Sequence, residues 1–347
     1  MIRFNCDYSE GAHPVVLEKL AQTNLEQAPG YGQDLFCRQA GDLIKTLCAT
    51  PQAEVHFLCG GTQTNLTVIA AMLRPYQGVI SPDSGHINVH ETGAIEATGH
   101  RVLSVPSTDG KITAGQISRL CQEHWQDDNP EFAPQPKLVY LSFSTEFGTL
   151  YTKEELTAIR RVCDEHNLYL FIDGARLGYG LAADTNDLTL PEIAACCDAF
   201  YLGGTKQGAL LGEAVVIVNP KLQKDFRYFM KQKGAMLAKG RVLGIQFLAL
   251  LENGLYFQLA EHANRLALQI RKACLDAGWE PLNDSHTNQQ FFFIPKNILK
   301  ELEEEYSFAH FVHPDKSRSL VRICTSWATQ EKDVQRLVAD IKRLGGK

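Results

Sequence analysis

The 347-residue chain has no run of eighteen apolar residues, no CxxC pair among its ten cysteines and no long run of lysine or arginine. The first absence leaves no stretch long enough to span a bilayer, and the second removes the usual frame of a zinc site. The third, with 34 basic against 40 acidic residues and a net charge of -6, gives no electrostatic footprint for nucleic acid. GxGxxG is lacking after the first strands, and GGTKQG is not the phosphate loop GxxxxGK[ST], which argues against a nucleotide-dependent enzyme or binding protein. MIRFNCDYSEGAHP holds no apolar core of signal-peptide length. A soluble, unprocessed cytoplasmic protein with reduced thiols and a small-molecule partner is therefore expected, and adjacent Cys196 and Cys197 read as small core residues at a helix end.

What is present is alternation. From Glu54, EVHFLC reads as a strand and TQTNLTVIAAML as a helix; further segments follow, each bounded by Gly, Pro, Ser or Asp. PKLVYLSFS, LYLFIDGA, CDAFYLGG and EAVVIVN read as buried strands, with TKEELTAIRRVCDEHN as an amphipathic helix among them. Such a pattern predicts an α/β layer fold whose mainly parallel sheet is covered on both faces. Residues 220–278 read as mostly helical, with a joint near Asn253-Gly254. NQQFFFIP, SLVRICTSW and EKDVQRLVADIKRL then make a smaller α+β module. The expected division is a large domain over residues 1–250 and a small C-terminal domain over 251–347.

In open parallel sheets, ligands gather beyond the carboxyl ends of the strands. Three polar clusters fall there. In CGGTQTN the N–H groups of Gly61 and Thr62 at a helix start suit a phosphate. LFIDGAR ends a strand on Asp173, with Arg176 three residues on, and FYLGGTK ends the next on Thr205 and Lys206. Each alone has a plainer reading as a capped turn, a local ion pair or a surface lysine.

Taken in order, GGTQTN, SGHINVHETGAIE, IDGAR and GGTKQGALLG resemble the low-specificity threonine aldolase and β-eliminating lyase family, pyridoxal phosphate (PLP) enzymes of fold type I. The resemblance runs from DYSEGAHPVVLEKL to VRICTSW. It implies that Lys206 holds the cofactor aldehyde and, once displaced by substrate, shuttles protons. It implies that Gly61, Thr62 and Thr205 help bind the cofactor, and that Asp173 keeps its pyridine nitrogen protonated. His86 then stacks on the ring and can take a hydroxyl proton. Arg322 grips the substrate carboxylate, and Arg176 serves phosphate, ring or carboxylate. Tyr31, in APGYGQD, completes a neighbouring subunit's site, so a homodimer at least, and by resemblance a tetramer, is expected. His90, four residues after His86, reads as a rim residue, and no metal is expected.

Two stretches depart from the family pattern. Thr145-Glu146-Phe147-Gly148 stands where typical members carry Thr-His-Asn-Gly, so Glu146 is either a base raised in pKa by burial or a receptor for a different side chain. In KQKGAMLAKGR, Ala238 stands where the family has a phosphate-anchoring arginine, with Lys239 and Arg241 close by. The expected reaction cleaves a β-hydroxy-α-amino acid to glycine and an aldehyde. The alternative is β-elimination or another reaction at Cα, releasing ammonia and a keto acid.

Overall fold

A computed structural model describes residues 1–312 and 315–345. Seven strands form the main sheet, in the spatial order Glu54–Leu58, Glu213–Ile217, Ala199–Gly203, Tyr169–Asp173, Gln135–Ser142, Gln77–Pro82 and Arg101–Val105. All neighbouring pairs are parallel except the two made by Glu213–Ile217. The expected mainly parallel sheet is thus present. The connecting helices are set by local sequence: Thr113, Thr152 and Thr189 each cap a helix start, with Gln116, Glu155 and Glu192 reaching back to complete a capping box. In Lys153–Glu165 the buried Leu156, Ile159 and Cys163 form the inward stripe that the spacing predicts.

Strand periodicity then decides what reaches the site. Successive side chains point to opposite faces, so Leu170, Ile172, Phe200 and Leu202 pack into one core, while Phe171, Tyr140, Tyr201 and Ala199 pack into the other. Asp173 shares the face of Phe171. Register pairs Tyr140 with Phe171 and Phe171 with Ala199, which levels Asp173 with Tyr201. Two tyrosines on adjoining strands therefore flank the acid at the strand end.

The glycines of IDGAR and LGG interlock beside it. A Cβ at Gly174 would fall 1.7 Å from the Tyr201 carbonyl oxygen, and one at Gly203 would fall 2.5 Å from the Ala175 carbonyl oxygen. Only glycine permits so close an approach of two strand ends.

Beyond the sheet, Arg241–Leu251 and Leu255–Asp276 are separate helices divided at Gly254, whose φ is +69°. The long helix serves two cores. Tyr256 and Leu259 pack with the main sheet, whereas Leu266, Ile270 and Cys274 pack with Phe292, Val321, Leu337 and Ile341. The C-terminal module holds a four-stranded antiparallel sheet containing Gln289–Pro295 and Arg318–Cys324. The chain's first residues belong to its packing: Ile2–Arg3 pairs in parallel with Tyr306–Ser307, and Phe4 lies in the same core.

The helix containing His86 runs only over His86–Val89, and His90 is its C-cap. His90 already leaves the helical region (φ -127°, ψ 9°), and left-handed backbone follows at Thr92 (φ 52°) and Gly93 (φ 71°). Among the described residues, no single helix is long and apolar enough to cross a membrane.

Candidate active site

Gly61, Asn65, His86, Ser142, Ser144, Glu146, Asp173, Ala175, Arg176, Tyr201 and Lys206 line one cavity at the strand ends, with about 370 Å³ of free space counted to its open mouth. Five residues singled out from sequence for chemistry thus meet there: His86, Glu146, Asp173, Arg176 and Lys206. Gly61 brings the first turn of Gly61–Met72 to the wall, and that helix has no side-chain cap. Its opening N–H groups, with that of Thr62, are the free donors a phosphate would use.

Asp173 is 4 % exposed. Its Oδ1 accepts from Tyr201 Oη at 2.6 Å and from the Ala175 N–H at 2.9 Å; its Oδ2 accepts from Tyr140 Oη at 2.6 Å and Asn65 Nδ2 at 3.0 Å. Burial pushes its pKa up, but the His86 charge, both tyrosine hydroxyls and the Ala175 N–H outweigh burial and hold it below the usual carboxylate value. The acid is thus built to stay ionised.

Lys206 follows the strand Ala199–Gly203, and its Nζ has no hydrogen-bond partner among the described residues. Burial, and after it the like charge of Arg176, lowers its pKa, against the pull of Asp7, Asp173 and Glu213. A lysine depressed this way presents more free amine, the form that attacks a carbonyl. Its turn is anchored from below. Glu213 accepts the Thr205 hydroxyl at 2.8 Å on Oε1 and the Gly204 N–H at 3.1 Å on Oε2, and burial raises its own pKa to about 8. Thr205 therefore faces Glu213 and Gly212, whose N–H it accepts at 3.1 Å, and lies outside the cavity wall.

Glu146 Oε1 accepts from the His86 backbone N–H at 2.8 Å and the Ser142 hydroxyl at 2.7 Å. Its Oε2 is buried without a partner, and burial pushes its pKa up. His86 Nδ1 lies 2.7 Å from Oε1 of Glu91.

Arg176 lines the cavity but has a partner. Its Nε and Nη2 donate to Asp7 at 2.7 and 3.0 Å, and Asn288 Nδ2 donates to the same carboxylate at 2.9 Å. Asp7 is fully buried; burial alone would raise its pKa, but Arg176, Lys206 and Arg322 hold it well below the usual carboxylate range. Removing one member of such a pair strands the other's charge. Asp7→Asn is expected to cost about 3–5 kcal/mol at neutral pH, read from denaturant midpoints. The carboxyl's pKa is depressed in the folded chain, so its contribution is complete above the unfolded carboxylate pKa and fades as pH falls through the low folded value. The gap between wild type and variant is therefore expected to narrow only in acid.

Arg322 sits in the antiparallel strand Arg318–Cys324, outside the cavity lining. Its Nη1 donates to Gln289 Oε1 at 3.1 Å and its Nη2 to the Asn5 carbonyl at 3.0 Å, while Nε is buried and unpartnered. Tyr31 is 47 % exposed and lines a different, larger cavity of about 1420 Å³ counted the same way, with Arg38, His56 and Arg227. Within one chain it does not meet Lys206. Both terminal nitrogens of Arg241 donate to the backbone carbonyls of Thr23 and Glu26, and Lys239 is exposed.

Sequence reading did not single out Asp7, Asn65, Glu91, Tyr140, Ser142, Tyr201 or Glu213. Asn65 and Glu91 lie inside quoted motifs, and the Asn at the end of GGTQTN was signal enough. The tyrosines, by contrast, look like any aromatic in an apolar strand.

An unpartnered buried amine and an ionised acid meet at the strand ends of a mainly parallel sheet, the place where α/β enzymes bind their ligands. The same fold is found in the aspartate aminotransferase of Thermus thermophilus, 14 % identical with a TM-score of 0.72, over 99 % of this chain and 91 % of that one. Residues 7–297 match the beta-eliminating lyase family, and the chain belongs to that family. It is 31 % identical to a low specificity L-threonine aldolase of a Pseudomonas species, over 99 % of this chain and 97 % of that protein. It is 43 % identical to the threonine aldolase of Leishmania major, with a TM-score of 0.97 and coverage of 99 % and 100 %. The resemblance read from the motifs, and the type I fold it implied, are met.

Proposed function

We propose that the protein is a PLP-dependent aldolase that cleaves a threonine-like β-hydroxy-α-amino acid to glycine and an aldehyde. The observation that supports it most directly is the unpartnered Lys206 amine in one cavity with Asp173, His86 and Glu146, in a chain aligned end to end with threonine aldolases. The donor set fits the cofactor. Lys206 would hold its aldehyde, the helix start at Gly61 and Thr62 its phosphate, Asp173 its ring nitrogen and His86 its ring face, with Thr205 shaping the lysine's turn. All four acceptor positions of Asp173 are used by protein donors, so holding a ring nitrogen would require one donor to give way, and the rotatable tyrosine hydroxyls could do so. When bound, the cofactor supplies an electron sink for charge developing at Cα.

The chain's own residues do the rest. Arg322, whose Nε is buried and unpartnered, would hold the substrate carboxylate and so fix which bond at Cα is presented for cleavage, while Arg176 at the cavity wall stays paired with Asp7. The β-hydroxyl proton passes to a group facing the cavity. The O–H electron pair becomes the aldehyde C=O, the Cα–Cβ pair stays with Cα, and Lys206 returns a proton there to release glycine. Glu146, through its free Oε2, receives the hydroxyl or the side chain of the amino acid. A homodimer or tetramer is part of this reading, supported by exposed Tyr31, Leu35 and Tyr228, with Tyr31 serving the neighbour's site.

Purified holoenzyme given threonine and other β-hydroxy amino acids is expected to yield glycine and aldehyde in equal amounts. Ammonia and a keto acid instead would favour β-elimination, the second reading, for which position 146 is the motive.

A further inference from the structure

His86, Glu91, Asn65 and Asp173 form one chain of hydrogen bonds. His86 Nδ1 lies 2.7 Å from Oε1 of Glu91, and that oxygen also accepts from Asn65 Nδ2 at 2.7 Å. The same amide nitrogen donates at 3.0 Å to Oδ2 of Asp173. One NH₂ group thus spends both hydrogens on two carboxylates. The opposite amide orientation would set a carbonyl oxygen against both, so the acceptors themselves fix how Asn65 points. The Glu91 side chain is completely buried, and neither its Oε2 nor Asn65 Oδ1 has a partner. Burying an acceptor-only group at a strand-end cavity is costly unless its contacts matter.

These contacts bear on which nitrogen of His86 is active. A carboxylate accepts and does not donate, so the nitrogen facing Glu91 keeps its hydrogen whether the imidazole is neutral or charged. Nε2, which has no hydrogen-bond partner among the described residues, is left to gain and lose the proton. The backbone of His86 is fixed independently through its N–H to Glu146.

We propose that Glu91 is a positioning residue that holds a hydrogen on His86 Nδ1 and so makes Nε2 the acceptor of the substrate's β-hydroxyl proton. The assignment of the proton's origin rests on the aldolase reading; the positioning of the ring does not. Asn65 supports it by letting Glu91 and Asp173 lie close without facing each other bare.

Side-chain nitrogen NMR of the full-length protein labelled in its histidine rings, with cofactor and without, tests this, His86→Asn giving the assignment. Wild type is expected to show the hydrogen held on Nδ1 in both forms. In Glu91→Leu, loss of the acceptor oxygen is expected to bring in the tautomer protonated at Nε2 and to lower kcat by about 10²-fold as the wrong tautomer predominates; glutamine would not serve, because its carbonyl oxygen can take the place of Oε1. Glu91→Asp is expected to recover part of the wild-type nitrogen pattern, and it stands in should the leucine variant fold poorly. A wild-type His86 protonated at Nε2 alone, or a Glu91→Leu protein with unchanged nitrogen shifts, overturns the proposal. Failure of the wild type to make glycine would end the aldolase reading while the nitrogen shifts still decide the role of Glu91.

Discussion

Lys206→Ala is expected to abolish the near-visible absorbance of bound cofactor and to lower turnover by more than about 10³-fold, since both covalent capture and proton return use one nitrogen. The same variant is expected to fold. Its amine has no hydrogen-bond partner among the described residues and lies with Arg176 in a buried setting that disfavours its charge, so truncation removes an unfavourable burial along with a few methylenes. Comparing denaturant midpoints with absorbance titrations by added cofactor separates the two effects. A protein that kept its colour and turnover with alanine at 206 would take this lysine out of the reaction.

That lysine was legible because its surroundings were odd for a surface position: an apolar strand before it, glycines and small residues around it, another apolar strand after. Asp173 was legible for a similar reason, ending an apolar strand immediately before Gly-Ala-Arg. The main sheet was equally readable, since buried parallel strands leave continuous apolar runs separated by capped helices. What sequence concealed were partners made by folding distant segments together. Asp7 reaches Arg176 across 169 positions, and nothing in NCDYSEG marks it as the counter-ion. The reading of Arg176 as free to bind an anion changes with it, because two of its donors are spent on Asp7. Tyr140 and Tyr201 stand 33 and 28 positions from Asp173, and their hydroxyls meet it only through sheet register.

Asp173→Asn is expected to lower kcat by about 10²–10⁴-fold while cofactor still binds, because the amide keeps the shape of the acid and loses the charge that holds a proton on the ring nitrogen. The hydrogen bonds sharpen this expectation. An asparagine must turn its NH₂ either toward Tyr140 and Asn65 or toward Tyr201 and the Ala175 N–H. The hydroxyls can rotate and accept, but in each orientation one fixed N–H donor, that of Asn65 or Ala175, is left facing another donor. That mismatch is expected to cost about 1–3 kcal/mol of stability. The cost depends on pH. Since the Asp173 pKa is lowered in the folded chain, the wild type's advantage is complete above the unfolded carboxylate pKa and is lost as pH falls through the folded value. Denaturation of both proteins across that range, beside turnover at neutral pH, checks the account. A small loss of stability with a large loss of kcat is the result that ties the charge of Asp173 to chemistry rather than to folding, whereas near-normal turnover of Asp173→Asn would remove the acid from the reaction.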